Sequence, residues 1–172
     1  MSVKKPTELL KEEHQAVLEK LAALESAIGN LEQRESISAS LRELASFFEV
    51  DFWVHFDKEE KALFPEFDNF MPRGSGPLAV MLDEHEVLRD TNEAMQQAIG
   101  SYLGDEDSAE VRQAIRQYGS HFIEFLRGHI FKEDSILFSM ADMHLNPAQN
   151  DRVVNLFVEM DRASQSRSRK EG

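Results

Sequence analysis

Two stretches of this chain carry the same reactive side chains in the same order. His55-Phe56-Asp57-Lys58-Glu59-Glu60-Lys61-Ala62-Leu63-Phe64 aligns without a gap on His129-Ile130-Phe131-Lys132-Glu133-Asp134-Ser135-Ile136-Leu137-Phe138, and five of the ten positions are identical. Each begins with His and places Glu four residues later. Upstream of each lies a second shared piece, Glu13-His14 and Glu84-His85. The order His, then His-x-x-x-Glu, therefore occurs twice. Residues at i and i+4 differ by about 40° around a helix, so His55 and Glu59 can reach one metal ion, and so can His129 and Glu133. His14 and His85 fall on otherwise apolar stripes. Folding the four segments together brings four imidazoles and two carboxylates to one level of the core.

Burying six such groups without partners costs several kcal/mol each. Two divalent cations bridged by Glu59 and Glu133 remove that cost. Neutral imidazole suits iron, zinc, copper or nickel, and carboxylate bridging adds a preference for iron or manganese. Two His per metal leave positions open for a bridging oxo or hydroxo group and for a small ligand such as O2, NO or peroxide. Taken singly, each His is better explained as a hydrogen-bonded core residue. The repeat in matching order, on inward stripes, favours the two-metal site. His121 lies about 80° around the helix from His129, and His144 follows the last motif, so both fall outside the site. Glu13, Glu60 and Glu84 adjoin motif residues but point elsewhere on their own helices. Asp51, four residues before His55, is a candidate orienting group for an imidazole, with a solvated surface role as the alternative. Phe48, Phe52, Phe122 and Phe125 lie one or two turns from the ligands, where they pack the core and can exclude water.

Four long helical patterns must position these side chains, and no convincing strand appears. The first starts near Thr7 as N-cap and carries Leu10, His14, Val17, Leu21, Leu24 and Ile28 on one stripe, ending at Gly29-Asn30. The second starts between Ser36 and Ser40 and runs to Phe64, before Pro65, with Leu41, Leu44, Phe48, Phe52, His55, Glu59 and Leu63 inward. Met71-Pro72-Arg73-Gly74-Ser75-Gly76-Pro77 is the strongest punctuation, and it separates the two halves of the repeat. The third helix spans about 77–100, with Leu78, Met81, Leu82, His85, Leu88 and Asn92 on one side. The fourth spans about 108–140, with Val111, Ile115, Tyr118, Phe122, Phe125, His129, Glu133, Ile136 and Leu137 inward. Asn146-Pro147 opens a short fifth helix, whose Val153, Val154, Phe157, Val158 and Met160 form an apolar side. The expected organisation is one domain over 1–163, made of two helix pairs (7–66 and 77–142) plus a C-terminal helix over 147–163. A flexible tail is expected over 164–172.

The 172 residues suffice for one domain with a sizeable core. A net charge of −13 argues against nucleic acid and anionic membranes as partners. With no cysteine there is no disulfide, Cys-ligated zinc or thiolate-held cluster. No apolar run approaches the roughly 18 residues of a membrane span. Met1 to Pro6 lead into no apolar signal segment, and a cytoplasmic protein is expected.

Glu13-His14, His55-Phe-x-Lys-Glu-Glu with Leu63-Phe64-Pro65, Glu84-His85, and His129-Ile-x-Lys-Glu-Asp with Leu137-Phe138 together resemble the signature of the hemerythrin-like (HHE cation-binding) family. The similarity covers about residues 7–142. It implies an all-α, up-down-up-down four-helix bundle with a short extra C-terminal helix. It also implies a centre of two non-haem iron ions with a bridging oxo or hydroxo group, manganese or zinc being secondary choices. The implied metal ligands are His14, His55, Glu59, His85, His129 and Glu133, with Glu59 and Glu133 bridging. Oxygen-carrying invertebrate members have a further His where this chain has Arg89. They also close the last motif with Asp at i+5, where this chain offers Glu133 at i+4. The metals are then more open, which favours reactivity with O2, NO or peroxide over reversible carriage. The chain looks closer to bacterial hemerythrin-like domains, including those implicated in repairing iron centres.

Three functions follow as expectations. The first is a di-iron protein that binds O2, NO or peroxide in sensing, storage or transport. The second is a di-iron oxidoreductase reducing peroxide or NO, or an iron donor in repair. The third is a metal-free structural bundle. A ferritin-like di-iron site is excluded, because no His has Glu three residues before it, and His-Glu-x-x-His of zinc proteases is absent. Protein partners are not legible.

Overall fold

The computed structural model describes residues 3–170, and among these the chain is helical with no strand. Helix α1 is Pro6–Ile28 and α2 is Arg34–Ser46. A π turn, Phe47–Asp51, leads into α3, Phe52–Lys58. A second π turn, Glu59–Leu63, and a 3-10 turn, Phe64–Asn69, close the first half. The second half consists of α4, Gly76–Leu103, and α5, Ala109–Lys132, then a third π turn, Glu133–Leu137, and α6, Phe138–His144. Helix α7, Pro147–Lys170, follows. No described helix is long and apolar enough to cross a membrane.

The termini follow local chemistry. Ser108 caps α5 by accepting the Val111 N–H at 3.1 Å. Asn146 and Gln149 form a reciprocal capping box at 2.9 Å in each direction, ahead of Pro147 at N1. Thr7 is not the cap of α1. The helix opens one residue earlier, at Pro6, where Glu8 accepts the Lys5 N–H. Thr7 is buried and donates its hydroxyl to Asp142 at 2.6 Å. Gly76, at φ 77, turns the Met71–Ser75 loop into α4 with a backbone conformation that a side chain would strain. Helix α7 runs past the expected end near 163, because its Ser/Arg-rich end contains no Pro or Gly to stop it. Residues 171–172 of the expected tail lie outside the described residues.

The core is two apolar clusters with the polar layer between them. One contains Val17, Phe52, Phe56, Leu88, Leu126 and Ile130. The other contains Leu10, Leu63, Phe64, Met81, Leu137 and Phe138. On every arm the candidate ligands fall between a residue of one cluster and a residue of the other. Two expected core positions of the fourth segment are exposed, Tyr118 at 38% and Ile136 at 50%. The inward stripe runs through Ile115, Gly119 and Phe122, so Tyr118 is left on the flank. Gly119 lies so close to α1 that a Cβ there would meet Ile28 Cδ1 at 2.4 Å. Ile136 is the repeat counterpart of Ala62, which is buried on the half that α7 packs against. On α7 itself Val153 and Phe157 are buried, whereas Val158 is exposed.

Candidate metal centre

His14 on α1, His55 on α3, His85 on α4 and His129 on α5 are all buried, as are Glu59 and Glu133 at the first residues of two π turns. The structure thus brings together all six residues singled out from the sequence. In each π turn the backbone N–H five residues on bonds the Glu carbonyl, from Phe64 to Glu59 and from Phe138 to Glu133. Such widened turns recur at functional sites. Here they let the chain place His and Glu one α-turn apart and then re-aim Leu and Phe into the core.

The donors form two sets. Glu59, His85, His129 and Glu133 offer atoms within 4.8 Å of one another, and so do His14, His55 and Glu59. Glu59 belongs to both. Its Oε1 lies 2.5 Å from His55 Nε2 and 3.8 Å from His14 Nε2, while its Oε2 lies 3.5 Å from His85 Nε2. Glu133 Oε1 approaches His129 Nε2. The Nε2 atoms also face each other, at 2.9 Å between His14 and His55 and 3.1 Å between His85 and His129.

This arrangement fits cations. Both oxygens of Glu59 and of Glu133 are buried with no hydrogen-bond partner among the described residues. Core carboxylates that meet only imidazole Nε2 atoms and accept no hydrogen bond are costly, and bound metal would satisfy both groups. His14 Nδ1 donates to Asp134 at 2.7 Å, and His129 Nδ1 to Glu84 at 2.9 Å. With Nδ1 donating in this way, each ring when neutral would present its Nε2 lone pair inward to a metal. Two imidazole nitrogens held about 2.1 Å from one metal and at right angles stand about 3 Å apart, close to the spacing of both pairs.

Electrostatics of the protein groups alone point the same way. Burial opposes charge on His55, but Glu59 and Glu13 outweigh it and raise the imidazole to about 10. Burial likewise opposes charge on His129, and Glu133 and Glu84 outweigh it, giving about 9. Burial and then the neighbouring Glu59 push Glu133 up to about 6. Burial also resists ionisation of Glu59, yet the His55 charge prevails and holds it well below the usual carboxylate range. Concentrated anionic character at a buried point is what a cation would neutralise.

An outer ring of carboxylates surrounds the imidazoles. Asp134 faces His14, Glu84 faces His129, Glu60 Oε1 lies 3.4 Å from His85 Nδ1, and Glu13 Oε1 lies 3.8 Å from His55 Nδ1. The expectation that Glu13, Glu60 and Glu84 point away from the site was wrong. Each points off its own ligand's direction and onto the imidazole of another arm. Lys58, Arg89 and Lys132 bind Glu13, Glu60 and Glu84 in turn. Arg89, which replaces a His of the oxygen carriers, also lies over the Trp53 ring at 5.7 Å. Asp51 is exposed and orients no imidazole.

Aromatic rings wall the layer. Phe56 stacks on His85 at 3.9 Å, Phe138 on His14 at 5.5 Å, and Phe52 on His55 at 6.4 Å. Of the Phe residues expected nearby, Phe48 and Phe122 lie one layer further out, packed against Phe52. The repeat carried the missed signal, since Phe64 and Phe138 align. His121 packs on Phe125, and His144 on Phe70, both away from the centre.

No curated protein and no solved structure matches this chain. A family model described as the hemerythrin HHE cation binding domain matches residues 5–141. That span holds all six buried donors and the whole outer ring, and it covers well over half the chain. The chain belongs to the hemerythrin HHE cation-binding domain family.

Proposed function

We propose that His14, His55, Glu59, His85, His129 and Glu133 hold two iron ions, and that the centre binds a small ligand such as O2, NO or peroxide in sensing, storage or transport. One observation carries this reading. The buried Glu59 turns one oxygen to His14 and His55 and the other to His85, and neither oxygen has a hydrogen-bond partner among the described residues. A carboxylate so placed is positioned to bridge. Mixed imidazole and carboxylate donors suit iron, which when bound would supply redox chemistry toward a small ligand.

The protein's own residues do the rest. Asp134 and Glu84 fix the tautomers of His14 and His129, and outer partners of this kind raise ligand basicity. Phe52, Phe56, Phe64 and Phe138 keep the layer apolar, which favours a small uncharged ligand over water. The bundle is read as up-down-up-down. In support, Leu10, before the ligand on α1, clusters with Leu63, after the ligands of the second segment, and with Met81, before the ligand on α4, and Leu137, after those of the fourth. The charge of −13 and the lack of cysteine fit a cytoplasmic protein whose ligand is neither nucleic acid nor lipid.

The test is anaerobic purification, reduction, and visible absorption as air is admitted, with iron quantified in the same sample. About two irons per chain and a charge-transfer band that reverses on degassing support ligand binding. Irreversible oxidation would favour the di-iron oxidoreductase instead. Absence of both iron and band would refute the iron centre.

A further inference from the structure

The two halves of the centre repeat in sequence but differ in how they hold the counterpart imidazoles His55 and His129. Glu84 and Glu13 are repeat counterparts, as are Lys132 and Lys58 and the imidazoles His129 and His55. In the second half Glu84 takes the Nδ1–H of His129 at 2.9 Å while binding Lys132, whose side chain is 41% exposed. In the first half Glu13 stops 3.8 Å short of His55 Nδ1, beyond hydrogen-bond range. His55 Nδ1 is buried without a partner, whereas its counterpart His129 Nδ1 has one; of the other pair, His85 Nδ1 has none and His14 Nδ1 bonds Asp134.

The element that differs is α7. It lies outside the matched family region and packs on α3 and on the Glu59–Leu63 turn. Its Asp161 takes a 2.8 Å ion pair from Lys58, whose side chain is only 7% exposed, and its Phe157 ring lies 5.7 Å from the same ammonium. Lys58 in turn holds both oxygens of Glu13, at 3.0 and 3.2 Å. No counterpart of α7 covers Lys132 among the described residues. Beside this chain of contacts a cleft of about 450 Å³ opens between α1 and α7, lined by Glu13, Lys58, Phe157 and Asp161.

We propose that α7 is a positioning arm: Asp161 draws Lys58 and with it Glu13 away from His55, so His55 is held more loosely than its repeat counterpart His129. Asp161 and Lys58 are positioning residues that act through Glu13. A hydrogen-bonded carboxylate on the far nitrogen strengthens an imidazole as a ligand, and losing one typically weakens metal binding by about 10–100-fold. The docked arm thus keeps the His14–His55 position weaker than it would otherwise be, and undocking it would strengthen that position. The affinity part of this inference rests on the metal reading above, whereas the Glu13–His55 contact does not.

The test uses the full chain with Asp161→Ala, and with Asp161→Glu as the conservative control. Asp161 is half exposed, so the fold is expected to persist, which circular dichroism checks. The imidazole N–H resonances of histidine-labelled protein are followed in the metal-free chain and during a zinc titration. In Asp161→Ala the His55 Nδ1–H should become hydrogen-bonded and exchange slowly, as is expected of the His129 Nδ1–H bonded to Glu84. Zinc affinity at the His14–His55 half should rise about tenfold with the other half unmoved, and Asp161→Glu should behave as wild type. An unchanged His55 resonance, or an equal change in both halves, would overturn the proposal. A wild-type chain that takes up no zinc would sink the metal reading alone, since the metal-free resonance decides the arm by itself.

Discussion

Glu59 and Glu133 occupy equivalent places in the repeat, yet the structure makes their loss unequal. Glu59 is a member of both donor sets and Glu133 of one. Glu59→Gln keeps the side-chain volume and removes the charge. It leaves His14 and His55 as a pair of donors, while His85, His129 and Glu133 remain together. Glu133→Gln leaves three donors in each set. We therefore expect Glu59→Gln to retain one metal ion per chain and Glu133→Gln to retain two. Each ion present at about 100 times its dissociation constant stabilises the folded state by about 2.7 kcal/mol. At about 2–4 °C per kcal/mol for a chain of this size, two ions raise the wild-type Tm by about 10–20 °C. Glu59→Gln should show about half that gain. Each variant is compared with its own metal-free form, so any structural effect of the substitution cancels. The assay is metal content after desalting, together with thermal melts with zinc and with a chelator. Two retained ions and a full Tm gain in Glu59→Gln would refute the assignment of Glu59 as the shared ligand. So would a loss in Glu133→Gln as large as that in Glu59→Gln.

Three further outcomes are expected. Glu84→Gln removes the carboxylate on His129 Nδ1 and should weaken metal binding by about 10–100-fold in chelator competition, with exposed Asp51→Asn as the unaffected control. Phe138→Ala opens a cavity against His14 and should cost about 3–5 kcal/mol in urea unfolding; a cost below about 1 kcal/mol would mean the ring is not packed as described. For the metal-free chain, His129 and His55 are raised to about 9 and about 10. A raised imidazole adds stability that is complete below its unfolded value of about 6.5 and is lost as pH rises through the folded value. Metal-free Tm should therefore fall from about pH 7 to pH 10, and a flat profile would contradict the carboxylate–imidazole contacts. Metal binding should show the opposite trend and tighten as pH rises, because the ions displace those protons.

Much of the site could be read from sequence because it obeys the helical period. His55 with Glu59, and His129 with Glu133, need only the i, i+4 rule, and His14 and His85 need only a stripe of Leu and Val. The failures have a common cause, which is contact between arms. Ile136 falls on the inward stripe of the sequence pattern, but among the described residues the helix that covers its counterpart Ala62 packs on the first half, and Ile136 is left exposed. Tyr118 lost its place to Gly119 because α1 comes too close there for a side chain. The tail of α7 is a different matter: it is exposed, as its composition suggests, and helical through Lys170 because nothing in it breaks a helix.

The outer carboxylates make the same point more sharply. Adjacent residues on a helix point about 100° apart, so Glu13 cannot face what His14 faces, and on a single helix that places it off the site. In the bundle that direction leads to the imidazole of the next arm. Glu13 serves His55, Glu60 serves His85, Glu84 serves His129, and Asp134 serves His14, so each arm lends an acid to a neighbour's ligand. The motif letters beyond the ligands then have physical reasons. The Glu before His14 and His85, the Lys one residue before Glu59 and Glu133, and the acid just after them are the ring and two of its cations. The exception is instructive. Arg89 braces Glu60, whereas its repeat counterpart Leu18 offers Asp134 no cation, and Asp134 makes the shortest imidazole contact of the four. Asp134, with no competing cation, gives its whole charge to its imidazole; Glu13 and Glu60, shared with the buried Lys58 and the half-buried Arg89, stand back, while Glu84 keeps its bond to His129 beside the more exposed Lys132. The repeat builds the centre, and the cations placed around it decide how firmly each ligand is held.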